Sequence, residues 1–112
     1  MMTEKVKSFG LKDTNFVTAN GLHDQNHYTT AYDMAMIAKK IVDEYPNVLG
    51  VMGPPKAIVN TSKKKDVEIE NPSKIHENPI AIGGKTGYTN TAQNTLVEIL
   101  EKDGKKVVAV FK

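Results

Sequence analysis

The chain has 112 residues, 39% hydrophobic and 25% charged, with no cysteine. That length builds one modest domain at most, burying roughly 65% of the unfolded surface, and the missing cysteine excludes disulfides, thiolate zinc sites and cysteine nucleophiles. Fifteen lysines against thirteen acids leave a net charge of +2 with no arginine, which argues against the Arg-bearing basic face of a nucleic-acid binder.

No run approaches the ~18 apolar residues of a membrane span, and no stretch reads as a signal peptide. The doubled start, Met1-Met2, reads as an added methionine before a native Met2. The expectation is a chain that begins inside a longer protein. Residues 3–9 read as the tail of a helix, with Gly10 as the C′ residue where a left-handed backbone is cheap. Residues 11–29 are loop-like, because Asn15, Asn20, Gly21, Asp24, Asn26 and His27 favour turns.

The strongest helix signal covers 31–45. Thr30 can cap it, and Asp33 completes a variant of the capping box. Ala31, Met34, Ala35, Ala38, Ile41, Val42 and Tyr45 form one side, and Lys39, Lys40, Asp43 and Glu44 the other. Pro46 cannot continue it. Five prolines and two glycines punctuate 46–79. Short strands at 57–60 and 67–70 flank Lys63-Lys64-Lys65, which predicts a protruding hairpin with a solvated tip.

Residues 80–88 read as an apolar strand entering a glycine-rich segment. Residues 105–111 are β-branched and apolar on both faces, the pattern of a strand covered on two sides. Between them, 90–103 fit a helix ending at Gly104, or a strand entering a hairpin through Asp103-Gly104.

Several motifs carry candidate chemistry. Gly84-Lys85-Thr86 matches the end of a nucleotide-binding P-loop, but Pro79 stands where the loop needs its first glycine. On a strand, Lys85-Thr86-Gly87 offers an ammonium, a hydroxyl and close backbone approach, suited to an anionic peptide end. His23 and His27 have a helical metal-ligand spacing but lie in a loop without a catalytic Glu, so no metal or other cofactor is expected. Ser62-x-x-Lys65 formally matches a serine–lysine nucleophile, yet three adjacent lysines in a polar turn stay solvated and cannot serve as a base.

The segments Gly10–Val17, Gly21-Leu22-His23-Asp24, His27–Ala35 and Gly84–Thr89, with Ala92, Asn94–Val97 and the final Val-rich strand, resemble one family in order and spacing. It is the serine D-alanyl-D-alanine carboxypeptidases, the low-molecular-mass penicillin-binding proteins. The resemblance implies an α+β fragment of a β-lactamase/transpeptidase-like domain, with one helix (31–45) on a three-stranded antiparallel sheet (80–88, 91–101, 105–111). It implies a single incomplete domain over 1–112, and an exported, cell-envelope parent that trims D-Ala from peptidoglycan stem peptides through an acyl-serine and is acylated by β-lactams.

Substrate-binding roles fall on Lys85, Thr86, Gly87 and Tyr88. Lys85 and Thr86 would hold the substrate carboxylate, Gly87 would allow close approach, and the Tyr88 N–H would be an oxyanion donor. The family's nucleophile and base motifs would lie before residue 1, so this chain alone is expected to be inactive. The alternatives are a non-catalytic peptidoglycan- or peptide-binding module and, more weakly, a nucleotide-binding domain. Two departures stand out: Ile82 where the family often has Asp, and Gln93 where it has Gly. Finally, the apolar strand at 105–111 would be a bare edge, which predicts a homo-oligomer.

Overall fold

The computed structural model describes residues 1–112. Helix α1 (Met2–Ser8) buries Val6, and the chain leaves it through Gly10, whose φ is +81°. Helix α2 (Ala31–Glu44) starts as the sequence predicts: the Thr30 hydroxyl accepts the Asp33 N–H at 3.0 Å. The capping box is only half made. The Asp33 carboxylate turns instead to the preceding loop, where it accepts the Thr14 hydroxyl at 2.7 Å and the Asp13 N–H at 3.1 Å.

Residues 46–52 differ from the expected turns. Pro46 opens a 3-10 turn (Pro46–Val48) that runs into a short helix α3 (Leu49–Met52). Proline ends α2 yet suits the first position of a new helical turn, where its missing N–H costs nothing. The hairpin follows, with β1 (Lys56–Val59) antiparallel to β2 (Val67–Glu70). At its tip the Thr61 hydroxyl accepts the N–H groups of Lys63 and Lys64. Asn71 holds its base, donating to the carbonyls of Met52 and Pro54 at 3.2 Å each.

Strands β3 (Ala81–Thr89), β4 (Gln93–Lys102) and β5 (Lys105–Phe111) form a separate antiparallel sheet in that order. The ambiguous segment is therefore a strand. Asp103 (φ +52°) and Gly104 (φ +74°) form the two-residue turn that joins β4 to β5. Helix α2 lies across β4 and β5, and Ile99, 1% exposed, is the most buried apolar residue. On the same face α3 reaches β3, where a side chain at Gly83 would come within 2.9 Å of Leu49 Cδ2. The other face carries Tyr88, Val107 and Phe111, each more than half exposed. The architecture is α+β, one main helix on a three-stranded antiparallel sheet, with the hairpin standing apart.

Candidate substrate-binding edge

An antiparallel ladder alternates residues that bond a neighbour with residues that face away from it. The Glu101 N–H donates to Ile80 O at 2.8 Å, which assigns the odd-numbered residues of β4 to bonding towards β3. Their partners are Gly83, Lys85, Gly87 and Thr89. Gly84, Thr86 and Tyr88 therefore turn their N–H and C=O groups to the open edge of β3, which no strand occupies.

Side chains alternate as well. Lys85 and Gly87 lie on the α2 side of the sheet, and Thr86 and Tyr88 on the other. The Lys85 ammonium is exposed and curls over the edge to bond the Thr86 carbonyl. Gly87 has no space for bulk: a Cβ there would lie 2.7 Å from the Thr95 hydroxyl, which donates to Gly87 O at 3.2 Å. Gly84 is tighter still. Its Cβ would meet Val97 O at 2.6 Å and Ile75 Cδ1 at 2.8 Å. The glycines keep β3 close to β4 and to the turn behind it, so their first role is within the sheet.

The edge opens into a cleft of about 710 Å³ lined by Lys85–Thr89, Asn94 and Thr95, with Pro72 and the Asn20-Gly21 tip of the first loop opposite. That tip was legible in the sequence only as a turn. Its position comes from a network that no local pattern reveals. Asp33 is 2% exposed and Thr14 1%, and their bond ties the loop to the first turn of α2. The Thr14 and Thr29 hydroxyls share a hydrogen bond of 2.8 Å. Asn15 and Tyr28 exchange two backbone bonds, at 2.9 and 3.1 Å. His27 Nδ1 accepts the N–H groups of Val17 and Thr18 at 3.0 and 3.3 Å. An Nδ1 that accepts is unprotonated, so the ring carries its proton on Nε2. Thus His27 is a fixed part of the loop, and its ring packs 5.6 Å from that of Phe16.

The remaining candidates lie elsewhere. Ser62 is exposed in the hairpin turn. Gly84-Lys85-Thr86 sits inside an extended, paired strand, whereas a P-loop curls around phosphate before a helix. Ile82 falls at the register break between Ala81 and Gly83, a bulge that re-aims the strand just before Lys85. Gln93 adopts φ +60°, and its amide donates to Asn90 O at 2.7 Å. The turn demands a left-handed residue at this position, and glutamine fills it at some cost.

The sequence profile of the D-alanyl-D-alanine carboxypeptidases matches residues 1–111. The chain belongs to the D-alanyl-D-alanine carboxypeptidase family. It is 32% identical over 110 residues to D-alanyl-D-alanine carboxypeptidase DacF of Bacillus subtilis, covering 97% of this chain and 28% of that relative. The crystal structure of a D-alanyl-D-alanine carboxypeptidase from Mycobacterium tuberculosis superimposes with a TM-score of 0.85 at 28% identity, covering 98% of this chain and 42% of that one. Penicillin-binding protein D2 of Listeria monocytogenes, in its cefotaxime-bound form, gives a TM-score of 0.84 at 26% identity, covering 97% and 44%. The chain thus spans less than half the length of each of these carboxypeptidase and penicillin-binding relatives.

Proposed function

We propose that this chain supplies the substrate strand of a serine D-Ala-D-Ala carboxypeptidase acting on peptidoglycan stem peptides outside the cytoplasm. The observation that carries this reading is the open edge of β3. Thr86 and Tyr88 turn backbone donors and acceptors outward there, beside the one ammonium on the strand, at the mouth of a cleft. An extended peptide can add to such an edge as a further strand. Its terminal carboxylate then meets Lys85 and the Thr86 hydroxyl, a charge-assisted pairing stronger than a neutral one. The N–H of Tyr88 points to where the scissile carbonyl oxygen becomes negative, and a fixed donor there is worth ~3–4 kcal/mol of barrier. Gly87 keeps the strand flush with β4, so no side chain separates peptide from backbone.

On this reading, as the family resemblance implies, the acyl-forming serine and its base come from residues outside 1–112; Ser62 lies exposed in the hairpin turn beside Lys63–Lys65. By the same edge geometry, a β-lactam, whose carboxylate and carbonyl mimic the peptide end, is a second ligand class. Binding of N-acetyl-D-Ala-D-Ala, followed by saturation-transfer NMR, tests the reading. Binding should vanish in Lys85→Ala and with a peptide whose carboxylate is capped as an amide. Equal binding of the capped peptide would contradict the assigned carboxylate site. Covalent labelling of this chain by a fluorescent penicillin would contradict the placement of the nucleophile outside it.

A further inference from the structure

The tip of the first loop carries a chemistry of its own. Asn20 is followed by Gly21, and both are exposed. A backbone nitrogen can attack the side-chain carbonyl of the asparagine before it and close a succinimide ring. The attack needs an N–H free to lose its proton and a residue that does not crowd the ring. Gly21 meets both conditions. Its N–H makes no hydrogen bond within the chain. It has no side chain, its φ is +78°, and a Cβ built on it would find nothing within 4 Å. The Leu22 N–H donates to Asn20 Oδ1 at 3.2 Å, the oxygen on which negative charge grows during the attack. Thr18 steadies that donor, its hydroxyl bonding the Leu22 carbonyl at 2.9 Å.

The other asparagines lack this combination. After Asn15, Asn26, Asn47 and Asn60 the next N–H is already bonded, to Thr3 Oγ1, Asp24 O, Tyr45 O and Lys64 O, at 2.8 to 3.0 Å. Asn71 and Asn78 precede prolines, which have no N–H. Asn90 and Asn94 precede threonines, whose branched side chains crowd ring closure. At Asn20 the reacting atoms belong to adjacent residues, so the step needs no group from beyond the loop.

We infer that Asn20-Gly21 is a self-modifying site that turns a neutral wall of the cleft into an acidic one. The Gly21 nitrogen gives up its proton and bonds Asn20 Cγ, the Cγ–Nδ2 bond breaks, and the side-chain nitrogen leaves as ammonia. Water then opens the ring at either carbonyl. One opening gives aspartate, and the other gives isoaspartate, in which the main chain runs through Cβ. Either product sets a carboxylate on the tip opposite Lys85. There it attracts the Lys85 ammonium and repels an incoming carboxylate. The conversion stands on the loop alone, and its effect on ligands rests on the function proposed above.

The test ages the 112-residue chain at neutral and at mildly alkaline pH and maps its peptides by mass spectrometry. The tryptic peptide Asp13–Lys39 holds Asn15, Asn20 and Asn26 together, so the three are compared within one molecule. Asn20 should convert roughly tenfold faster than the other two, a barrier lower by ~1.4 kcal/mol, and faster again at the higher pH. Asn20→Gln, which closes such a ring far more slowly, should stay unmodified. Asn20→Asp, the product made directly, should bind N-acetyl-D-Ala-D-Ala roughly two- to threefold more weakly than fresh wild type, the reach of one unit charge through water. Aged wild type should drift towards that value, and aged Asn20→Gln should not. An Asn20 that stays intact, or converts no faster than Asn15 and Asn26, overturns the inference. Conversion that leaves binding unchanged overturns its electrostatic effect on the cleft. A fresh chain that binds no peptide overturns the proposed function instead, and the peptide map still decides the conversion.

Discussion

The two edges of the main sheet present the same unpaired backbone groups and differ in everything around them. At the β3 edge the side chains are small or polar, the strand is bent by a bulge before Lys85, and the Asn20-Gly21 tip walls the approach. At the β5 edge the strand is regular and β-branched, its centre carries no polar side chain, and none of the residues lining the cleft comes from it. An open edge invites a strand, and its surroundings decide which one. A walled, cationic edge admits a short peptide end. A bare apolar edge admits a long strand like itself.

The largest effect should come from removing the wall. Asp33→Ala removes the charged acceptor of the Thr14 hydroxyl, which keeps only Thr29, and of the part-buried Asp13 N–H. A hydrogen bond to a charged group contributes ~1.5–3 kcal/mol, so urea denaturation should show a loss of about 2–4 kcal/mol. Peptide binding at β3 should fall with it.

Next come the glycines, which separate packing from access. Gly84→Ala drives a Cβ into the Val97 carbonyl and should cost about 1–3 kcal/mol, since backbone cannot step aside. Gly87→Ala meets only the Thr95 hydroxyl, which can rotate. It should cost less than about 1 kcal/mol of stability and still weaken peptide binding. Equal stability losses in the two would remove the distinction.

A smaller gain is expected from Gln93→Gly. It relieves a left-handed glutamine, offset by the chain entropy of glycine, for a net of about 0.5 kcal/mol. Thermal denaturation would show it as a small rise in Tm.

The smallest effect concerns Asp43. Its carboxyl is held below the usual carboxylate range, first by the hydrogen bond from Lys39, which outweighs the opposing desolvation, and then by the charges of Lys39, Lys106 and Lys40. A depressed folded value adds stability above the unfolded value of 3.8, lost as pH falls below it. Asp43→Asn should therefore lower Tm slightly at pH 7, and the difference should shrink as pH falls through the depressed folded value.

Much of this was legible in the residues. The Thr30 cap, the stop at Pro46, the left-handed Gly10, the hairpin around Lys63–Lys65 and the Asp103-Gly104 turn are local rules, and each appears where the sequence puts it. Leu96–Leu100 carry helical spacing equally well. They lie in a strand because Ile99 pairs with Gly83 and Val108, contacts distant in sequence. The site divides in the same way. Lys85–Tyr88 were visible as a motif on a strand. The Asn20-Gly21 wall was not, because Asp33 and Thr14 hold it across nineteen positions, and Asp33 reads locally as nothing more than a helix cap. The apolar pattern of 105–111 reads as a strand covered on two sides, and in the structure its second cover is missing.

The most direct test follows each backbone amide of the labelled chain by NMR as N-acetyl-D-Ala-D-Ala is added, against the L,L peptide. The account predicts that the amides of Thr86 and Tyr88 shift with the D,D peptide, that those of Lys106, Val108 and Val110 on β5 do not, and that the L,L peptide moves neither set. Peptide shifts centred on β5, or none at Thr86 and Tyr88, would contradict the assignment of the β3 edge as the substrate edge.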